Sequence, residues 1–169
     1  KLEIDWFYQE GCSFIYPDSW EKYIKIIPKL ERNNFVKAYY KLLTSNDKKL
    51  RISAAIAWAN WESETSKLFQ NKNILHTFEN TKIAEAFSRI ECHYFINKGF
   101  FKYDGWLLDQ VYKIKHIPSV IIQGRYDVVC PMKSAWDLHK KMPEATLIIS
   151  QNSGHSMLEK DIQEKLIQY

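Results

Sequence analysis

The fold class is decided by residues 119–156, SVIIQGRYDVVCPMKSAWDLHKKMPEATLIISQNSGHS. Residues 119–123 form a short run rich in β-branched side chains, residues 134–142 have helical spacing, and residues 146–150 form a second apolar run. A strand, a helix and a strand in about 30 residues are typical of a βαβ unit, whose strands are parallel. Because parallel strands normally belong to larger sheets covered on both faces, this stretch predicts part of an α/β domain.

Each predicted strand is followed by a loop that carries a side chain of catalytic type. Asp127 comes four residues after the first strand, and His155 comes five residues after the second. The carboxyl ends of parallel strands lie at one edge of a sheet, where α/β enzymes bind their ligands, so we expect the two side chains to meet. A carboxylate that accepts the imidazole N–H fixes the tautomer and leaves the other ring nitrogen to act as a base. Either residue alone would suggest only a solvated loop, but their matched placement favours a catalytic pair.

The sequence before His116-Ile117-Pro118 has a different pattern, in which apolar and aromatic residues recur at helical spacing. One such series is Ala54, Trp58, Trp61, Thr65 and Leu68, and a second is Ile83, Phe87, Ile90 and Tyr94. We therefore predict a mostly helical domain over residues 1–116 and an α/β part over residues 117–169.

Two glutamates interrupt the aromatic stripes of these predicted helices. Glu62 shares a helical face with Trp58, and Glu91 shares one with Phe87. A buried carboxylate normally has a partner, because an unpaired buried charge is costly, and a substrate ammonium group is one such partner. The alternatives are that these faces are exposed to solvent, or that each glutamate pairs with a nearby base, as Arg89 would for Glu91.

The composition narrows the class of protein further. Of the 169 residues, 46% are hydrophobic and 26% are charged, which predicts a folded chain, and no apolar run approaches the roughly 20 residues of a membrane span. The net charge is +4 with lysines and glutamates interspersed, so no nucleic-acid-binding stripe is indicated. Cys12, Cys92 and Cys130 lack CxxC spacing, so neither a disulfide framework nor a zinc site is indicated. We expect a cytoplasmic protein that needs no metal or cofactor and binds neither membrane nor nucleic acid.

Several strings carry a resemblance to known enzymes. GRYDVVCP (124–131) and SGHS (153–156) resemble the acid and base loops of α/β-hydrolases. WFYQEGCSFIYPDSW (6–20), AIAWANWESETSKL (55–68) and SRIECHYFINKGFF (88–101) more narrowly resemble proline iminopeptidases, which are serine aminopeptidases that remove N-terminal proline from peptides. The resemblance extends over nearly the whole chain.

The resemblance implies a role for both pairs of residues. Asp127 and His155 are similar to the second and third members of a Ser-Asp-His triad. Glu62 and Glu91 are similar to the carboxylates of a helical cap that hold the free amino end of the substrate. The expected partners are therefore peptides with a free N-terminal proline.

The resemblance also implies contributors near the substrate. Trp6, Phe7 and Tyr8 resemble an aromatic wall beside the proline ring. Cys130 resembles a cysteine near the site that makes such enzymes sensitive to thiol reagents. From the residues alone, Cys130 is equally compatible with a small buried hydrophobe.

One essential part of such an enzyme is missing from the sequence. α/β-Hydrolases carry their nucleophilic serine in a G-x-S-x-G motif, whereas only 5 of the 169 residues are glycine and no two of them are four positions apart. We therefore expect the C-terminal fragment of an α/β-hydrolase, with a mostly helical cap followed by a strand-helix-strand-helix unit. Such a fragment is expected to need the N-terminal remainder of the catalytic domain and to be inactive alone.

Two other interpretations stay open from the sequence. The first is a different α/β-hydrolase, such as an esterase, epoxide hydrolase or dehalogenase, because an Asp-His pair does not choose among these activities. The second is a non-catalytic helical interaction module whose aromatic stripes bind another protein.

Overall fold

The computed structural model describes residues 1–69 and 80–169. They form two compact units. The first comprises Lys1–Thr65 together with residues 80–100, and the second comprises Ser66–Phe69 together with Phe101–Tyr169. The division into a cap over 1–116 and a catalytic part over 117–169 stays a prediction about function.

The described part of the first unit is helical. Its α-helices are α1 (Leu2–Tyr8), α2 (Pro17–Lys25), α3 (Phe35–Leu43), α4 (Lys48–Thr65) and α5 (Thr81–Ile96). Short 3-10 turns cover Gly11–Phe14, Lys29–Glu31 and Lys98–Phe100. The helical periodicity of this region is thus found in the structure, although α4 ends at Thr65, before Leu68.

Stacked aromatic rings form the core of the first unit. Tyr23 of α2 stacks on Tyr39 of α3 with ring centroids 4.7 Å apart, and Tyr39 meets Trp58 of α4 edge to face at 5.2 Å. Trp61, one turn later on α4, lies 5.6 Å from Tyr23. All four side chains are almost completely buried. Aromatic rings bury large apolar areas, and their edge-to-face and offset contacts add to that stabilisation.

Helices α4 and α5 approach closely because small residues face each other. Ala54, Ala55 and Ala84 are fully buried, and the hydroxyl of Ser88 on α5 donates to the carbonyl of Ala55 at 3.0 Å. Helix α5 starts where the side chain of Asn80 accepts from the Lys82 N–H at 3.1 Å, a typical N-cap. This packing places Glu62 and Glu91 on the two contacting helices.

The second unit contains the predicted strands. Its elements are α6 (Trp106–Asp109), a 3-10 turn (Val111–Lys113), β1 (Val120–Gly124), α7 (Met132–Lys141), β2 (Thr146–Ser150) and α8 (Lys160–Gln168). Strands β1 and β2 pair in parallel, with Val120 opposite Thr146 and Gly124 opposite Ser150. The predicted strand-helix-strand-helix unit with parallel strands is confirmed.

The loops after the two strands meet at Gly124. A Cβ atom on this residue would lie 1.9 Å from the carbonyl oxygen of Gly154 and 2.7 Å from that of Ser153. The Tyr126 N–H donates to the same Ser153 carbonyl at 3.0 Å. Glycine is therefore required at position 124 because backbone atoms of the next loop occupy the space of a side chain.

Replacing Gly124 by alanine is expected to lower the free energy of unfolding of the full-length protein by about 2 kcal/mol, the usual scale for overpacking. Denaturant unfolding measures this change. Gly105→Ala is the control, because Gly105 has a φ of 88° with nothing within 4 Å of the added Cβ, so it reports left-handed strain of about 1 kcal/mol alone. Equal destabilisation by both substitutions would contradict the steric explanation.

Candidate active site

The structure brings Asp127 and His155 together in the second unit. Oδ2 of Asp127 lies 3.0 Å from Nδ1 of His155. The Asp127 side chain is 5% exposed, whereas the His155 side chain is 38% exposed. A buried carboxylate that faces Nδ1 keeps the proton on that nitrogen and stabilises the imidazolium, so Nε2 is the nitrogen suited to proton transfer. The geometry is that of an acid-base pair, and its catalytic role stays a prediction.

The carboxylate of Asp127 is held on both of its oxygens. Oδ1 accepts from the backbone N–H groups of Val129 at 3.0 Å and Cys130 at 2.8 Å, and Oδ2 also accepts from the side-chain amide of Gln123 at 2.9 Å. Four donors, including His155, match the capacity of an ionised carboxylate. The backbone N–H of half-buried Cys130 thus contributes to the geometry of the acid.

The loop that carries His155 is held by the short segment Ser66–Phe69. The His155 N–H donates to the Ser66 carbonyl at 3.1 Å. The Glu159 carboxylate accepts from the Gly154 N–H at 2.8 Å and from the Leu68 N–H at 3.3 Å. The backbone of His155 and of its neighbour Gly154 is therefore fixed in this unit. Sequence reasoning missed Glu159 and Ser66, because nothing local to either residue points to a partner so distant along the chain.

A pair of carboxylates lies in the first unit. Glu62 on α4 is 7% exposed and accepts a short hydrogen bond from the hydroxyl of Tyr8. Glu91 on α5 is half-buried, and its Oε2 accepts from the Trp58 indole N–H at 2.9 Å. The alternative that Glu62 faces solvent is thus wrong. Arg89, the suggested partner of Glu91, lies 3.7 Å from Glu85 in an ion pair.

Burial dominates the electrostatics of Glu62. Loss of hydration raises the pKa of its carboxyl well above the usual range, and the negative charge of Glu91 raises it further, while the hydrogen bond from Tyr8 acts in the opposite direction. The pKa of Tyr8 is also raised, first by burial and then by the charge of Glu62, so its hydroxyl stays a neutral donor. A bound cation would oppose the effects of burial and of the Glu91 charge on Glu62, because a nearby positive charge favours the ionised carboxylate and lowers its pKa.

The predicted aromatic wall consists of consecutive residues on α1. Phe7 is 1% exposed and Tyr8 is 4% exposed, whereas Trp6 is half-buried. The ring of Tyr8 stacks on Trp58 at 4.4 Å, and the Phe7 ring meets the Tyr8 ring edge to face at 4.8 Å. The indole of Trp6 lies so close to Gly11 that a Cβ there would be 2.2 Å away. Tyr8 therefore has a contact that sequence reasoning missed, its hydroxyl on Glu62, and the role of all three beside a proline ring stays a prediction.

The raised pKa of Glu62 makes the free energy of unfolding depend on pH. The folded state binds this proton more tightly than the unfolded state, so stability falls as the pH rises from the unfolded pKa, about 4.3, toward the folded pKa. The slope approaches about 1.4 kcal/mol per pH unit. We expect Glu62→Gln to remove this loss in the full-length protein without substrate, as measured by denaturant unfolding at several pH values.

Glu64→Gln is the matched control for this experiment. Glu64 lies on the same helix, and its carboxylate forms an ion pair with Lys22 at 3.0 Å. The control is expected to keep the pH dependence of the wild type. If the stability of the Glu62→Gln protein has the same pH dependence as that of the wild type, the burial of Glu62 is not the cause of the loss of stability at higher pH.

No helix in the described parts of the chain is both long enough and apolar enough to cross a membrane. Residues 1–69 and 80–169 contain no group of three or more His, Cys, Asp or Glu side chains placed to hold a metal ion.

Comparisons with known proteins add to this geometry. The family model described as TAP-like protein, of the α/β-hydrolase class, matches residues 102–169. A probable proline iminopeptidase from Leptolyngbya boryana is 53% identical over 167 residues, which are 99% of this chain and 52% of that protein. The proline iminopeptidase of Arabidopsis thaliana is 51% identical over 99% of this chain and 44% of its own length. That of Xylella fastidiosa strain 9a5c is 48% identical over 94% of this chain and 51% of its own length.

These findings confirm two predictions. The resemblance to proline iminopeptidases holds over nearly the whole chain, and the fold class is that of the C-terminal part of an α/β-hydrolase. The chain spans about half the length of the curated relatives it matches. The similarity supports a hydrolase, and it does not by itself assign a role to any residue.

Proposed function

We propose that the protein containing this chain, which is similar to proline iminopeptidases, is a serine aminopeptidase that releases N-terminal proline from peptides. The observation that carries the proposal is the hydrogen bond between Asp127 and His155 at 3.0 Å, on the loops that follow two parallel strands. This pair is what an acyl-transfer enzyme needs besides its nucleophile and oxyanion site. The names of the relatives supply the substrate class.

The chemistry proposed for the pair is acyl transfer. His155 Nε2 accepts the proton of a serine hydroxyl as that oxygen attacks the carbonyl carbon of the prolyl residue. The C–N bond then breaks, the proton passes from His155 to the leaving amine, and a prolyl ester of the serine remains. A water molecule, deprotonated by His155, attacks this ester; as the ester C–O bond breaks, His155 returns the proton to the serine oxygen, free proline is released and the serine hydroxyl is regenerated.

The serine is proposed to come from outside these 169 residues. None of the serines in this chain lies in a G-x-S-x-G motif, the sharp turn on which α/β-hydrolases expose their nucleophile. We accordingly propose that residues 117–169 complete a catalytic domain and that residues 1–116 act as its cap. The 169-residue chain alone is expected to have no peptidase activity.

Glu62 and Glu91 are proposed to select substrates with a free amino end. The protonated imino group of proline carries one positive charge and two N–H donors, which suit two carboxylates, and charge-assisted hydrogen bonds are the strong ones. Burial of Glu62 supports the role, since an ionised carboxylate in that place gains most from a bound cation. An N-acylated proline has neither the positive charge nor any N–H donor on its nitrogen, so it is excluded.

The remaining predicted residues complete the proposal. Trp6, Phe7 and Tyr8 would provide apolar surface beside the proline ring, with Tyr8 also orienting Glu62. The Cys130 thiol would make the enzyme sensitive to thiol reagents. The backbone N–H of the same residue holds Asp127, so a group attached to the thiol would disturb the position of that carboxylate. Cys12, Cys92 and Cys130 are free thiols, which suit a reducing compartment, so a cytoplasmic location is proposed.

A substrate panel tests the proposal on the full-length protein. We expect hydrolysis of a proline arylamide and no hydrolysis of the same compound acylated on nitrogen. Comparable turnover of free and acylated forms, or of simple aryl esters only, would favour another α/β-hydrolase. Absence of any hydrolysis would favour the helical interaction module.

A further inference from the structure

Gln123 occupies a position that the proposed mechanism has not used. It is half-buried and lies next to the end of β1, opposite Ile149 of β2. Its Nε2 donates to Oδ2 of Asp127 at 2.9 Å and to the carbonyl of Cys130 at 3.1 Å. Oδ2 is the same oxygen that faces Nδ1 of His155.

The hydrogen-bond network fixes which end of this amide faces the acid. The NH₂ group of glutamine has two donors, and here one reaches a carboxylate and the other a carbonyl. If the amide were reversed, its oxygen would face two acceptors, so the network assigns Nε2 to this side. Gln123 thus acts toward Asp127 purely as a donor.

We infer that Gln123 is a positioning residue for the acid-base pair, one that holds Oδ2 of Asp127 in the direction of His155. The inference rests on the proposed function for its catalytic consequence. The two backbone donors, from Val129 and Cys130, hold only Oδ1, so Gln123 is what restrains the oxygen that faces the imidazole. The bond to the Cys130 carbonyl also closes the loop between β1 and α7. A small misplacement of a catalytic group has a large effect on rate.

Two substitutions in the full-length protein separate a donor role from a packing role. Gln123→Leu keeps the approximate volume but has no donor, and it is expected to lower kcat for a proline arylamide about 10-fold with KM changed less than about 2-fold. Gln123→Glu places a carboxyl group beside Asp127, and two carboxyls so close share one proton. This variant is expected to approach wild-type kcat at low pH, where the carboxyl donates, and to lose activity as the pH rises and the shared proton leaves.

The matched controls are Gln151→Leu and Gln151→Glu. Gln151 is an exposed glutamine that directly follows β2, as Gln123 lies at the end of β1. Both control variants are expected to keep the kcat, KM and pH profile of the wild type. If Gln123→Leu does not fold, the pH profile of Gln123→Glu still decides the question.

A measurement that needs no turnover separates failure of the inference from failure of the proposed function. The downfield proton NMR signal of the His155 Nδ1–H in the full-length protein reports its hydrogen bond to Asp127. We expect this signal to shift or broaden in Gln123→Leu and to be unchanged in Gln151→Leu, whatever the substrate of the enzyme. An unchanged signal in Gln123→Leu, or a Gln123→Glu protein with the pH profile of the wild type, would overturn the inference. If the wild-type protein does not hydrolyse prolyl substrates, the proposed function is overturned but the inference about Gln123 is not.

Discussion

Asp127→Asn in the full-length enzyme is expected to lower kcat for a proline arylamide by about 10,000-fold, while KM changes little. The reason lies in the donors around the side chain. Val129 and Cys130 present fixed backbone N–H groups to Oδ1, whereas the side-chain amide of Gln123 on the Oδ2 side can rotate, so the single carbonyl oxygen of asparagine is expected to stay beside the backbone donors. The NH₂ group is then directed at Nδ1 of His155. Nδ1 becomes an acceptor, the proton moves to Nε2, and the base is lost.

Steady-state kinetics with a proline arylamide measure this effect. Asp137→Asn is a charge-matched control, since Asp137 lies on α7 in an exposed ion pair with Lys133. The control is expected to keep wild-type kcat. A loss of less than about 10-fold in Asp127→Asn would mean that Asp127 does not set the tautomer of a catalytic histidine.

Glu62→Gln and Glu91→Gln are each expected to raise KM for a proline arylamide about 10- to 100-fold, with a smaller effect on kcat. Hydrogen bonds to a charged group contribute about 1.5–3 kcal/mol, which corresponds to this range. Glutamine keeps the shape and removes the negative charge, so the change isolates recognition of the ammonium group. The double variant is expected to exceed either single variant, and the effects need not add because the two carboxylates interact.

The control for this pair is again Glu64→Gln, which removes a charge from the same helix as Glu62 and is expected to leave KM unchanged. If KM is unchanged in both Glu62→Gln and Glu91→Gln, these residues do not recognise the amino end of the substrate. A fall in kcat with constant KM would instead indicate a role in the transition state.

Much of the fold and part of the site follow from local patterns. The second strand lies at residues 146–150, as predicted, because its apolar run is bounded by polar residues on both sides. Asp127 and His155 meet because parallel strands deliver their following loops to one edge, which is a matter of topology rather than of side-chain detail. Gly124 is one of only five glycines in the chain, and the close contact between these two loops requires a glycine there.

The parts that sequence reasoning missed depend on contacts between distant residues. The hydroxyl of Tyr8 reaches Glu62 across 54 positions, and Glu159 reaches Leu68 across 91. Helix α4 stops at Thr65 although its apolar spacing continues, and the Ser66 carbonyl accepts from the loop of the base instead. Gln123 had one local signal, a polar residue at the end of an apolar strand, which indicates a position but not a partner.

We propose that this chain supplies the acid, the base and the amino-end recognition of an enzyme that removes N-terminal proline. The most direct test of this proposal is chromatographic detection of free proline after the full-length protein is incubated with a short peptide that begins with proline, and with the same peptide acetylated at its N-terminus. We expect that one proline is released per unblocked peptide, that the remaining peptide stays intact, and that the acetylated peptide is not cleaved. Equal cleavage of both peptides, or no release of proline from the unblocked one, would contradict the proposal.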